Sequence, residues 1–345
     1  MAFLFAPRAL AAGPAAPAAL VYVTNSPSAI VSLRENVRAM DIIAPQVYAA
    51  TASGKLLGSP SLEMLRIARE AGASVMPLVV NRDFDQKEIH KLLMSDTAQN
   101  ALIAALITEA NKRGYAGYQY DFEHIAAADR DRYTAFVRKT APYFRGAGLQ
   151  FSVALAPVHS DDQRDYAVGS WENWTGAFDY QAIGAAADFV SVMAYDDGKS
   201  PGPAASLPWV ASVVEYALAR IPAEKISLGV PFYAYVRDAK TGALAYSRGY
   251  PAVAPLLSGK SYIKKGWSDE LAVSYVTYKK GGKTYTAWYE DERSFREKMR
   301  LVSRYDLRGF SAWALGLEDP NVWDAVLAMR AGVRGLAQST GEGVY

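Results

Sequence analysis

The 345-residue chain contains no cysteine, which removes disulfides, thiolate catalysis and cysteine-ligated zinc at once. The absence leaves the redox compartment open. Histidine is scarce. His90, His124 and His159 are the full complement, and no two stand three or four apart, so a dedicated zinc site is not expected. Neither charge dominates: 37 Lys and Arg face 35 Asp and Glu, a net charge of +2, with the basic residues dispersed. That gives no electrostatic case for nucleic acid or an acidic membrane surface as partner. No stretch has the length and apolarity of a membrane-spanning helix, and no internal repeat is present. A Gly-x-Gly-x-x-Gly after the first strand-like run is also missing. "DGKS" (197–200) and "GGKT" (281–284) end like phosphate-binding loops, but Met193 and Thr277 occupy the positions where the opening glycine must stand. ATP binding is not indicated.

What is present alternates. Eight short apolar runs, from "ALVYVTN" (19–25) through "DIIAPQVYA" (41–49), "GYQYDFE" (117–123) and "DFVSVMAYD" (188–196) to "GFSAWALG" (309–316), are separated by amphipathic stretches such as "AQNALIAALITEANKRG" (98–114). Strands alternating with helices along a whole chain argue a parallel sheet. Eight of them predict a closed (β/α)8 barrel, with a doubly wound sheet as the second choice. The interval from Tyr233 to Gly309 is too long for one returning helix and holds a hairpin turning at Gly281–Gly282. It predicts a small α+β insertion over residues 234–290, between the seventh and eighth strands, within a barrel spanning residues 19–335. The Ala- and Pro-rich start, residues 1–18, reads as a truncated signal-like or disordered leader, which places the protein outside the cytoplasm. Residues 336–345 read as a loose tail.

The run "GYQYDFE" is the informative one. Alternate residues of a strand share a face. Tyr118, Tyr120 and Phe122 suit the helix layer, leaving Gln119, Asp121 and Glu123 to point inward, with Glu123 at the C-terminal end where barrel active sites lie. Two carboxylates about 7 Å apart along a strand, partly buried, repel each other and resist ionisation. One pKa rises, and a carboxylic acid that stays protonated near neutral pH can act as a general acid. Other strand ends add Gln46 and Tyr48, Met193 and Tyr195, Pro231 and Tyr233, and Trp313. Aromatic side chains gathered around two carboxylates suit sugar rings stacking over an acid.

Taken in order, "GYQYDFE", "VMAYDDG", "LGVPFY" and "GFSAWALG" resemble the strand motifs of glycoside hydrolase family 18, the chitinase-like barrels, over roughly Val21 to Met329. The stretch "ASLPWVASVVEYALARIPAEKISLGVPFY" is similar to the bacterial spore-cortex and peptidoglycan N-acetylglucosaminidase branch. The family motif Asp-Gly-x-Asp-x-Asp-x-Glu reads here Ala116, Gly117, Tyr118, Gln119, Tyr120, Asp121, Phe122, Glu123. By resemblance Glu123 is the general acid/base, Asp121 orients the substrate acetamide, Tyr195 bonds the same acetamide, and Trp313 floors the reacting sugar. The resemblance and the strand ends together give Trp313, Tyr48, Gln119, Met193, Asp196, Tyr233 and Trp288 as the substrate-binding set. Trp288 is expected to be brought in by the insertion as a wall of the cleft. Gln119 replaces an acid, so it could hydrogen-bond Asp121 but not share a proton with it.

This family belongs to the substrate-assisted exceptions among retaining glycosidases, in which the sugar's own 2-acetamido oxygen attacks the anomeric carbon. The resemblance implies a monomer that hydrolyses β-1,4 linkages of N-acetylglucosamine polymers, peptidoglycan or chitin, without metal or cofactor. Two other readings stay open: a carbohydrate-binding, lectin-like barrel, and an endo-N-acetylglucosaminidase acting on N-glycans.

Overall fold

The computed structural model describes residues 16–259 and 262–339. The leader therefore lies, up to residue 15, outside the described residues, as do residues 340–345 of the tail. Residues 336–339 continue the last helix.

Eight strands carry the barrel: β1 (Ala18–Val23), β2 (Ile42–Ala50), β3 (Leu78–Asn81), β4 (Gly117–Asp121), β5 (Gln150–Leu155), β6 (Phe189–Val192), β7 (Ile226–Pro231) and, after an insertion, β13 (Gly309–Trp313). Each pairs in parallel with the next, β7 pairs with β13, and β13 and β2 both pair with β1, so the sheet closes on itself. This is the (β/α)8 barrel that the alternation predicts.

Local sequence starts and stops the helices between strands. Helix α1 (Asp96–Arg113) is capped by the Ser95 hydroxyl, which accepts from the Ala98 amide, and ends at Gly114 in the left-handed conformation, φ +72°. Gly117 opens β4 for a steric reason: a Cβ there would stand 2.0 Å from the Gln150 carbonyl oxygen. The outward face of β4 is covered as its aromatics demand. Tyr120 stacks on Phe122 at 4.8 Å and on Phe136 of helix α2 (Arg130–Gly146) at 5.5 Å, all three fully buried.

The insertion is a second sheet. Its strands, β8 (Tyr233–Asp238), β9 (Leu244–Gly249), β10 (Tyr262–Ser268), β11 (Val273–Lys280) and β12 (Lys283–Tyr289), are antiparallel in the order β9–β8–β12–β11–β10. The β11–β12 hairpin turns at Gly281 and Gly282, both with positive φ as a two-residue turn requires. One face packs Ala234, Val236, Val276 and Ala287 into a small core of its own, to which Val253 of the helix Tyr250–Ser258 contributes. The other faces the mouth of the barrel.

Candidate active site

At the C-terminal end of the barrel strands lies a cleft of about 680 Å³. Tyr22 of β1, Gln46 of β2, Asp121 of β4, Tyr233 and Tyr235 of β8 and Trp313 of β13 line it, with Glu123, Met193, Tyr195 and Asp196 just beyond strand ends. Loops contribute Phe84, Trp174 and Leu317, and β9 contributes Leu244, Ser247, Arg248 and Gly249.

β4 ends at Asp121, so Glu123 has left the ladder and its backbone needs other partners. Asn81, 1% exposed at the end of β3, supplies both. Its Oδ1 accepts from the Glu123 amide at 3.0 Å and its Nδ2 donates to the Glu123 carbonyl at 3.0 Å, so one side chain replaces a missing strand. His124 then turns the chain with φ +54°, and Gln86 Nε2 donates to its carbonyl at 3.0 Å.

Burial disfavours the charged form of a carboxyl, and a neighbouring charge of the same sign disfavours it further. Burial raises Asp121 to about 7. Glu123 is raised to about 8 by burial, with the charges of Asp121 and Asp196 adding to it. The two titrate as a pair, in the neutral range rather than the ordinary carboxyl range. Asp196, in the left-handed conformation at φ +67°, is also raised by burial, but two hydroxyls oppose this. Tyr233 donates to its Oδ1 at 2.5 Å, and Tyr235 donates to the same oxygen. Tyr195 is buried and packs edge-on against Tyr233, centroids 6.2 Å apart. Trp313 leans on Tyr22 at 5.4 Å.

Of the residues expected from sequence, the cleft brings together Asp121, Glu123, Met193, Tyr195, Asp196, Tyr233 and Trp313. Three expectations are corrected. Tyr48 is not at the cleft. β2 carries a register shift between Gln46, opposite Leu78, and Tyr48, opposite Val79. The extra residue reverses the alternation. Gln46 points inward, while the Tyr48 hydroxyl meets Glu109 of α1 at 2.9 Å and Tyr115 at 2.9 Å. Gln119 lies beneath the cleft, fully buried. It accepts from Tyr22 at 2.7 Å and donates to Ser152 at 2.7 Å and Ser191 at 2.9 Å, with no bond to Asp121. Trp288 packs on Tyr275 at 5.3 Å and stands directly opposite Tyr235, which lies one strand nearer the cleft and takes the place expected of it. Tyr22, Phe84, Trp174, Tyr235, Arg248 and Asn81 were not singled out from sequence. Tyr22 and Tyr235 could have been, as inward positions of strand-like runs.

The chain is 28% identical over 317 residues to an uncharacterized glycosylase, YvbX, of Bacillus subtilis, spanning 88% of this chain and 89% of that protein. The spore cortex-lytic enzyme SleL of Bacillus megaterium superposes with a TM-score of 0.81 at 27% identity, over 94% of this chain and 76% of SleL. A chitinase from Chromobacterium violaceum gives a TM-score of 0.81 at 25% identity, over 92% of this chain and 99% of the chitinase. The sequence profile of the glycosyl hydrolases family 18 matches residues 49–318, and with the barrel and the strand-four acid pair in place, the chain belongs to that family.

Proposed function

We propose that the protein hydrolyses the β-1,4 linkage following an N-acetylglucosamine in peptidoglycan or chitin, with retention, through participation of the substrate acetamide. The observation that carries this is the pair Asp121 and Glu123, opening side by side into one cleft and raised together into the neutral range. Glu123 protonates the departing oxygen and then activates water. Asp121 holds the acetamide N–H and offsets the positive charge of the oxazolinium ring. Tyr195 supports the acetamide, and Trp313 is the floor on which the reacting ring rests. Retention of Glu123 favours hydrolysis over simple sugar binding. A polymer of this kind is met outside the cytoplasm, and the protein is assigned there. Mass spectrometry of products from chitin oligomers and from purified peptidoglycan tests the reading. Absence of cleavage at N-acetylglucosamine in both would reject it.

The pH profile follows from the raised pair. The acid form is lost as pH rises through the upper value, and the Asp121 charge is lost as pH falls through the lower one. kcat/KM is therefore expected to peak between about 7 and 8, bounded by the two raised carboxyls. A maximum near pH 5 that has already declined at pH 6 would contradict it.

Asn81 sets the position of Glu123 without reaching substrate. Asn81→Ala removes both backbone bonds and lets Glu123 drift. An ångström of misplacement costs up to about 100-fold in rate. kcat is expected to fall by that order while KM changes little. A change confined to KM would show that Asn81 has no such positioning role.

A further inference from the structure

The near-neutral net charge hides a separation. The insertion, residues 234–290, holds nine Lys and Arg against four Asp and Glu, while the rest of the chain holds 28 against 31. The structure gathers the excess at one end of the second sheet. Strand β8 leaves the barrel at Tyr233 and β12 returns toward it at Tyr289, so the far end is made of the β8–β9 turn and the β11–β12 hairpin. The Ala239 amide donates to the Thr284 carbonyl at 2.9 Å and joins the two. Lys240, Lys279, Lys280 and Lys283 stand there, all exposed, with Lys264 and Lys265 exposed on the edge strand β10.

These lysines have no acid to hold. Among the described residues, the lysines in ion pairs are Lys139, with Asp96, and Lys298, with Glu290. Of the insertion's other acids, Asp269 and Glu270 lie in the turn at the opposite end. Asp238 turns its carboxylate to the Lys240 and Thr241 amides, at 2.9 and 3.1 Å. Lys280 and Lys283 stand directly opposite each other across the hairpin. Like charges so placed destabilise a sheet, and an anion arriving from outside relieves them. Tyrosine rings lie among the cations. Lys280 Nζ is 6.0 Å from the Tyr246 centroid, and Lys265 Nζ is 4.9 Å from that of Tyr262, itself 37% exposed. This end also adjoins the cleft: Leu244, which lines it, follows the turn that bears Lys240.

We propose that the basic end of the second sheet is a docking surface for an anionic amino-sugar polymer, held through its carboxylates outside the cleft. The adjoining cleft and the tyrosine rings favour a glycan over a nucleic acid or a membrane. Docking raises the local concentration of glycan at the acid pair. A polymer whose alternate sugars bear a lactyl ether is held, and chitin, which has no carboxylate, is not. This rests on the hydrolase reading above and names the charge class of the polymer within it.

The test is co-sedimentation of the full chain, carrying Glu123→Gln so that nothing is consumed, with peptidoglycan sacculi, with sacculi whose carboxyls are amidated, and with chitin. The unmodified sacculi are expected to bind most, and binding should weaken with added salt. Adding Lys279→Gln, Lys280→Gln and Lys283→Gln together should weaken it about 10-fold, and arginine at the same three positions should keep it. Glutamine at Lys87, Lys91 and Lys112, exposed on the barrel, should change little. The melting temperature of the hairpin variant should hold or rise, because a repulsion has gone. With Glu123 intact, the hairpin variant should digest sacculi more slowly yet cleave a short N-acetylglucosamine oligomer as before. Equal binding after the hairpin substitutions, equal loss in the barrel control, indifference to amidation, or a fall in melting temperature that accompanies the lost binding would overturn the proposal. So would hairpin-dependent binding that is tighter to anionic phospholipid vesicles or to DNA than to sacculi. Should the sacculi be held through the hairpin while the unmutated chain cleaves neither sacculi nor oligomer, the hydrolase reading fails and the docking surface stands.

Discussion

Glu123→Gln is expected to yield a folded protein that has lost nearly all hydrolysis. The change is isosteric, and the Asn81 bonds go to the Glu123 backbone, so the positioning survives. What disappears is the proton donor, and loss of a general acid costs about 100- to 10,000-fold. The same variant makes a stability prediction of definite sign. Burial raises the Glu123 carboxyl from its ordinary range to about 8, so ionising it in the folded protein is unfavourable. That penalty is absent below the ordinary carboxyl pKa and is fully present above the raised one. The variant, whose amide never ionises, should gain in melting temperature relative to the unmutated protein as pH rises through that window. Turnover close to that of the unmutated enzyme would remove Glu123 from the mechanism and favour a sugar-binding protein.

Asp121→Asn is expected to lower kcat by about 100- to 1,000-fold, the order seen when one transition-state charge stabiliser is removed, with much less effect on KM. Asn keeps the shape and can still accept the acetamide N–H, so ground-state binding is largely retained. It cannot offset the positive charge that grows as the ring closes, and stabilisation confined to the transition state is read in kcat. Removing the neighbouring charge also relieves Glu123, so the alkaline limb of the profile should move to lower pH. A thiazoline analogue of the cyclic intermediate should inhibit the unmutated enzyme, and oligomers without an N-acetyl group should not be cleaved. Trapping a covalent glycosyl ester on Asp121 would instead establish a two-carboxylate mechanism.

The barrel and the acid pair could be read from the chain because both depend on local periodicity. Tyr118, Tyr120 and Phe122 alternate with Gln119, Asp121 and Glu123, and a closed sheet needs one such face covered by helices. The misplacements arise where period two stops predicting direction. One extra residue in β2 sends Tyr48 to the helices while Gln46 stays inward, and nothing in "PQVYA" marks that shift. Gln119 satisfies its amide through Tyr22, Ser152 and Ser191, each on a different strand, so its partners depend on register across the barrel. Trp288 and Tyr235 share a face of the second sheet, and only strand order decides which borders the cleft. Asn81 acts through its neighbour's backbone, a role with no signature in composition. Phe84 reaches the cleft from a loop in which Asp83 and Phe84 both have positive φ, a conformation no pattern of residue types announces.

The second sheet leaves the ring after Pro231 and the chain rejoins it at Gly309. Its own small core holds it together, while the backbone N–H groups of Phe232 and Tyr250 tie it back by donating hydrogen bonds to the Trp313 and Leu317 carbonyls, at 2.7 Å each. Tyr233, Tyr235, Leu244, Ser247 and Arg248 all belong to this appendage, whereas both acids belong to the ring. Inheritance can therefore act on the two separately. A descendant could acquire a different appetite by rewriting a strand edge that packs on itself, leaving the proton-handling pair and the register that places it undisturbed.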